Sequence, residues 1–109
     1  MKLQIISCTS LKKYLGREDV LLLDLREKKE YETAHFPGAV WADPEQLEEK
    51  IATLLEEAVH EIKWIILSCD HGNISLLSAR DLARHGYPVM SLGGGFEYCK
   101  LDPPKARKQ

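Results

Sequence analysis

The stretch "SCDHGNIS", residues 68–75, joins a thiol, an imidazole, a carboxylate and two hydroxyls around a single glycine. It closes an apolar run, "WIIL", and precedes an amphipathic run that ends at Gly86, so Cys69 falls at the end of a strand and the mouth of a helix. A thiolate, not a thiol, is the nucleophile, and a helix N-terminus offers it unpaired N–H groups and partial positive charge. The N–H groups of Asp70, His71, Gly72, Asn73, Ile74 and Ser75 can curl round the sulfur only through unusual dihedrals, which Gly72 and Asn73 are the types to tolerate. His71 and Ser75 add side-chain donors. Such a cradle suits an anionic sulfur, whether thiolate, persulfide or an anionic substrate in contact. A packing role for Cys69 stays open, because free cysteine often fills space at a strand end.

Other chemistries fit less well. His35, His60, His71 and His85 form no recognisable pairing of nucleophile and base. Cys69 and His71 lack the further ligands that zinc requires, so no metal site is expected. A phosphatase loop needs an arginine six positions after the cysteine to clamp the phosphoryl group, and that position is Ser75; the nearest downstream arginine is Arg80.

The elements that must hold this loop can be read from periodicity. "QIIS" (4–7), "VLLLDL" (20–25), "AVWA" (39–42), "WIILS" (64–68) and "PVMSL" (88–92) read as strands, several of them continuously apolar as in a parallel sheet covered on both faces. "TSLKKYLG" reads as a helix capped by Thr9 or Ser10, with Leu11, Tyr14 and Leu15 inward and Gly16 as its stop. A charged turn of helix lies in "REKKEYETAH", before Pro37-Gly38. Asp43-Pro44-Glu45-Gln46 has a cap, a first-turn proline and the glutamine of a capping box; the helix it opens is expected to bury Leu47, Ile51, Leu54, Leu55 and Ala58. A further helix covers about 73–85, and "GGGFEYCKL" reads as a glycine turn into a short helix. Strands alternating with helices give an α/β fold, a doubly wound parallel sheet of about five strands with helices on both faces. Ligands of such sheets gather at the carboxyl ends of the strands, where Cys69 lies.

At 109 residues the chain makes one domain, placed at 1–102, with a solvated tail at 103–109 that holds Lys105, Arg107 and Lys108. Hydrophobic residues at 44% and charged residues at 29% are those of an ordinary soluble globular protein. Fifteen basic against seventeen acidic residues leave no footprint for nucleic acid. The apolar stretch of "MKLQIISC" is too short for a signal peptide, and no run approaches membrane-spanning length. Three cysteines, an odd number without paired spacing, argue against a disulfide framework and for free thiols in a reducing compartment; the expected location is the cytoplasm. Cys8 and Cys99 are expected to be structural. The oligomeric state is left open.

Three separated segments carry a resemblance. "LLLDLREKKEYETAHFPGAV" is similar to a strand-D-x-R signature running into H-[IF]-P-G-A, "CDHGNIS" to an active-site loop, and "HGYPVMSLGGGFEYC" to a G-[YF]-x-V-x-x-L-x-G-G closing element. Together they resemble the rhodanese family of sulfurtransferases over nearly the whole chain, with a loop like that of small bacterial thiosulfate sulfurtransferases. The resemblance implies a rhodanese-like fold with Cys69 as sulfur carrier. Its thiolate would attack a sulfane sulfur, become a persulfide and pass the outer sulfur on. The donor would be a small sulfur-containing anion or a protein persulfide, the acceptor a thiol or cyanide, and the covalent persulfide would need no cofactor. Asp24 and Arg26 match the D-x-R pair and are expected to brace the sheet edge beside the loop; His35, Pro37 and Gly38 match a turn. Many family loops carry Arg or Lys after the cysteine, where this chain has Asp70 and Ile74. The alternative is a non-catalytic rhodanese-like module for partner binding or sulfur and redox sensing.

Overall fold

The computed structural model describes residues 3–100. The expected tail and its basic residues lie outside that range. Five strands form one parallel sheet: β1 (Gln4–Ile6), β2 (Val20–Asp24), β3 (Val40–Trp41), β4 (Trp64–Ser68) and β5 (Val89–Leu92), in the order β1-β5-β4-β2-β3. The central strands β4 and β2 run in register from Val20 beside Trp64 to Asp24 beside Ser68. Parallel neighbours need crossovers, and those crossovers are the helices α1 (Cys8–Leu11), α2 (Lys28–Thr33), α3 (Leu47–Glu57) and α4 (Asn73–Arg84), with α5 (Gly95–Lys100) after the last strand.

Because strand side chains alternate, the continuous apolar strands feed two cores. On one face Leu23, Ile65, Leu67 and Val89 meet Leu47 and Ile51 of α3 and Ala79, Leu82 and Ala83 of α4. On the other, Leu22, Ile66, Met90 and Leu92 meet Leu11 of α1 and Phe96 of α5, with Phe36 from the turn after α2. The fold is therefore the α/β, five-stranded parallel sheet with helices on both faces that the periodicity predicts. No described helix is long and apolar enough to cross a membrane.

Several boundaries differ from the sequence reading, for local reasons. The first helix is a single turn beginning at Cys8: Ser7, not Thr9 or Ser10, is its cap, its hydroxyl accepting the Ser10 N–H at 3.0 Å. Tyr14 and Leu15 still pack against the core, from the turns beyond it. Asp43 caps as expected, accepting the Glu45 N–H at 3.0 Å, but the first turn is a 3-10 turn over Pro44–Gln46 before α3 begins. Leu55 is exposed and Ala58 lies past the end of α3, so the apolar stripe is narrower than its spacing implied; Leu47 and Ile51 carry the burial.

The largest correction concerns the cysteines. Cys8 and Cys99 form a disulfide, with Cα atoms 5.5 Å apart and a sequence separation of 91, and among the described cysteines Cys69 alone is free. The pairing follows from topology. β1 and β5 are neighbours, so α1 and α5, which leave their carboxyl ends, meet on one face. Closing a loop of 91 residues restricts the unfolded chain by roughly 4–5 kcal/mol. The double variant Cys8→Ala, Cys99→Ala, compared with the oxidised parent by thermal unfolding, is expected to melt at least about 10 °C lower. An unchanged melting temperature would show that the link does not hold in solution.

Candidate active site

β4 ends at Ser68, and the chain turns through Cys69-Asp70-His71-Gly72 into α4. The turn is possible because Gly72, the residue before the helix, takes φ +97°. That left-handed backbone suits glycine, and it directs N–H groups back toward the strand end. Cys69 Sγ accepts the Gly72 N–H at 3.2 Å and the Ser75 N–H at 3.3 Å. Cys69 is only 3% exposed, so the sulfur sits in a confined place with backbone donors already aimed at it. Fixed donors around a developing anion need no reorganisation when charge arrives, and confinement keeps water from competing for them.

Neither the Ser75 nor the His71 side chain makes a described hydrogen bond to Sγ. The Ser75 hydroxyl donates to the Gly72 carbonyl at 3.3 Å and pairs with the Ser91 hydroxyl at 2.9 Å, away from the sulfur. Ser75 thus contributes its backbone to Cys69 and uses its side chain to tie α4 to β5. His71 is exposed and makes no described hydrogen bond to Sγ. Asn73 and Ile74 occupy the first turn of α4, both facing solvent. Ser91 was not singled out from the sequence, although a hydroxyl inside the apolar strand "PVMSL" is a signal for a buried partner.

The glycine turn after β5 braces the loop from the other side. A Cβ at Gly95, which has φ +68°, would lie 2.5 Å from the carbonyl oxygens of both Cys69 and Asp70. With no side chain there, the first turn of α5 closes up: the Phe96 N–H donates to Cys69 O at 2.7 Å and the Glu97 N–H to Asp70 O at 3.0 Å.

Asp24 and Arg26 form a buried, two-pronged ion pair, with Nε to Oδ1 at 3.0 Å and Nη2 to Oδ2 at 2.8 Å. Arg26 also donates to the Ala34 carbonyl at 2.6 Å and lies 3.8 Å above the Phe96 ring. Asp24 ends β2 beside Ser68, so the pair lies at the carboxyl edge of the sheet, next to the Cys69 loop. It holds Phe96, which in turn holds the Cys69 carbonyl. The His35-Phe36-Pro37-Gly38 segment is a turn, closed by Ala39 N–H to Phe36 O at 3.0 Å with Gly38 at φ +80°. His35 is stacked on Tyr31 at 4.0 Å, and its Nδ1 is 2.8 Å from the Tyr31 carbonyl.

The surroundings of Asp70 are acidic on balance. Desolvation first, and then the charge of Glu30, push the Asp70 carboxyl above the ordinary carboxylate range; Glu97 adds to this, while Arg26 and His71 oppose it. Of the loop residues after Cys69, only His71 is able to carry positive charge.

A confined cysteine stands at the carboxyl end of a central strand of the parallel α/β sheet, with the Gly72 and Ser75 N–H groups on its sulfur where the next helix opens. Residues 7–101 match the rhodanese-like domain model, and the chain belongs to that family. It is 31% identical over 96 residues to a thiosulfate sulfurtransferase GlpE of Pseudomonas syringae pv. syringae, covering 87% of this chain and 86% of that one. It is 33% identical over 98 residues to a thiosulfate sulfurtransferase GlpE of Pseudoalteromonas translucida, covering 88% of each. A solved thiosulfate sulfurtransferase from Pseudomonas aeruginosa superposes with a TM-score of 0.79 at 23% identity over 99% of this chain, which spans a fifth of that longer one.

Proposed function

We propose that this member of a sulfurtransferase family carries sulfane sulfur as a persulfide on Cys69. The thiolate attacks the outer sulfur of a donor, the donor's S–S bond breaks with its electron pair leaving on the donor fragment, and the sulfur stays on Sγ. A thiophilic acceptor, a thiol or cyanide, then takes it and returns Cys69 to the thiolate. The chain's own thiol suffices, with no cofactor. The observation that carries the reading is the pair of N–H donors on Sγ, at 3.2 and 3.3 Å inside a confined site. An intact sulfur with donors in place favours turnover over the binding-only alternative. The test is to load the protein with polysulfide, remove the excess and add cyanide. One thiocyanate per loaded protein is expected; none from any sulfane donor would support the binding-only module.

The same geometry bears on the donor. Ile74, in the first turn of the helix that follows the Cys69 loop, is 49% exposed, and a cation placed there is expected to face an arriving dianion. Ile74→Arg is expected to raise kcat/KM for thiosulfate roughly 3- to 10-fold, an effect that shrinks with salt, because a unit pair near the surface is worth about 1 kcal/mol. Steady-state kinetics with thiosulfate and cyanide at two ionic strengths measures this. An unchanged rate in folded protein would remove residue 74 from the donor's path.

A further inference from the structure

Two short helices pack on the face of the sheet opposite α4, and a covalent link joins them. α1 has four residues and α5 six, and isolated helices below roughly 12 residues are marginal, so neither persists on its own backbone bonds. α5 leaves β5 through Gly93-Gly94-Gly95, with φ +80° at Gly94 and +68° at Gly95, a turn with no side chain to stiffen it. What holds α5 is tertiary. Phe96 and Cys99, three residues apart and so on one face of the helix, are 2% and 0% exposed, and Cys99 is bonded to Cys8.

The same helix holds the sulfur loop. The Phe96 and Glu97 N–H groups donate to the carbonyls of Cys69 and Asp70 at 2.7 and 3.0 Å. Those two residues begin the turn that ends at Gly72, whose N–H reaches Sγ together with that of Ser75. A shift of α5 therefore moves the backbone from which the sulfur is held. The two sulfur centres themselves stand apart: Cys69 belongs to the core beneath α3 and α4, Cys8 and Cys99 to the core on the other face of the sheet. Coupling between them passes through α5 rather than by direct thiol exchange. The link ties no two strands; it ties the helix that braces the loop to the helix that follows the edge strand β1.

We propose that the Cys8–Cys99 link is a redox-sensitive clamp on the Cys69 loop. Closed, it holds α5 against the loop; opened by a dithiol, it frees α5, the loop loosens and sulfur transfer falls. The proposal rests on the persulfide reading above and adds its regulation. In opening, one thiolate of the dithiol attacks the sulfur of Cys8, which at 6% exposure is the more accessible residue of the pair. The S–S bond breaks with its electron pair leaving on Cys99, and the second thiolate of the dithiol displaces Cys8 from the mixed disulfide. The protein gains two electrons and two protons as two thiols, and the dithiol leaves as a disulfide. Reoxidation by a disulfide reverses each step.

The test compares wild-type protein with the link closed, the same protein opened with dithiothreitol and desalted under argon, and the double variant Cys8→Ala, Cys99→Ala, all well below their melting temperatures. Mass before and after each assay gives the state of the link, and circular dichroism gives the folded fraction. Thiocyanate formation from thiosulfate and cyanide, per folded molecule, is expected to fall at least about fivefold on opening and to return on reoxidation. The double variant is expected to match the opened protein and to ignore dithiothreitol treatment. Iodoacetamide labelling of Cys69, 3% exposed in the clamped protein, is expected to quicken at least about threefold in both opened samples. A link that only stabilises the fold would leave both rates unchanged in folded protein, and that result would overturn the proposal. So would a link that dithiothreitol does not open while the protein stays folded. Absence of thiocyanate from every sample would instead overturn the persulfide reading, and the labelling of Cys69 would still decide the clamp.

Discussion

Cys69→Ser is expected to lose at least about a thousandfold in sulfur transfer, since removing a covalent nucleophile removes the intermediate itself. A serine hydroxyl in the same place is not ionised near neutral pH and cannot hold a sulfane sulfur. Its Oγ can still accept from the Gly72 and Ser75 N–H groups that hold Sγ at 3.2 and 3.3 Å, so the loop keeps its shape. Stability should therefore change by no more than about 1 kcal/mol. The two measurements together, thiocyanate formation and thermal unfolding, separate loss of chemistry from loss of fold. Residual activity within tenfold of the parent would place the sulfur elsewhere.

Gly95→Ala is expected to damage both fold and site. The added Cβ would stand 2.5 Å from two carbonyl oxygens, those of Cys69 and Asp70, and at φ +68° the backbone is already strained for any side chain. Both neighbours are main chain, so neither can swing aside as a side-chain tip would. Relief requires moving α5 away and breaking the Phe96 and Glu97 hydrogen bonds to the loop. The cost should reach about 2–4 kcal/mol, with sulfur transfer falling at least tenfold in the protein that remains folded. Gly86→Ala is the control: φ is +92°, but nothing lies within 4 Å of its added Cβ. It should lose only about 1 kcal/mol and keep its activity. Equal effects at the two positions would mean that α5 does not brace the loop.

What the sequence made legible was the part governed by local pattern. Continuous apolar runs such as "VLLL" and "WIIL" announce buried parallel strands, and an apolar strand ending in cysteine before a helix places Cys69 at the carboxyl edge of the sheet. The glycine at 72 announced the turn, and φ +97° is what it was needed for. What stayed hidden depends on which strands become neighbours. Cys8 and Cys99 pair because β1 lies beside β5, an order that periodicity does not encode. The direction of the Ser75 hydroxyl depends on Ser91 coming alongside from β5, 16 residues later. The stacking of Arg26 on Phe96, which links the buried ion pair to the Cys69 carbonyl, joins segments seventy residues apart and has no signature within either.

The central claim, that Cys69 carries the sulfur, is tested most directly by peptide mass mapping of protein exposed to a limiting amount of polysulfide and then trapped with an alkylating agent under non-reducing conditions. The account predicts one added sulfur atom, confined to the peptide that contains Cys69, and its loss on treatment with cyanide. Sulfur found instead on Cys8 or Cys99, or a Cys69 peptide that is alkylated without ever gaining sulfur, would contradict it.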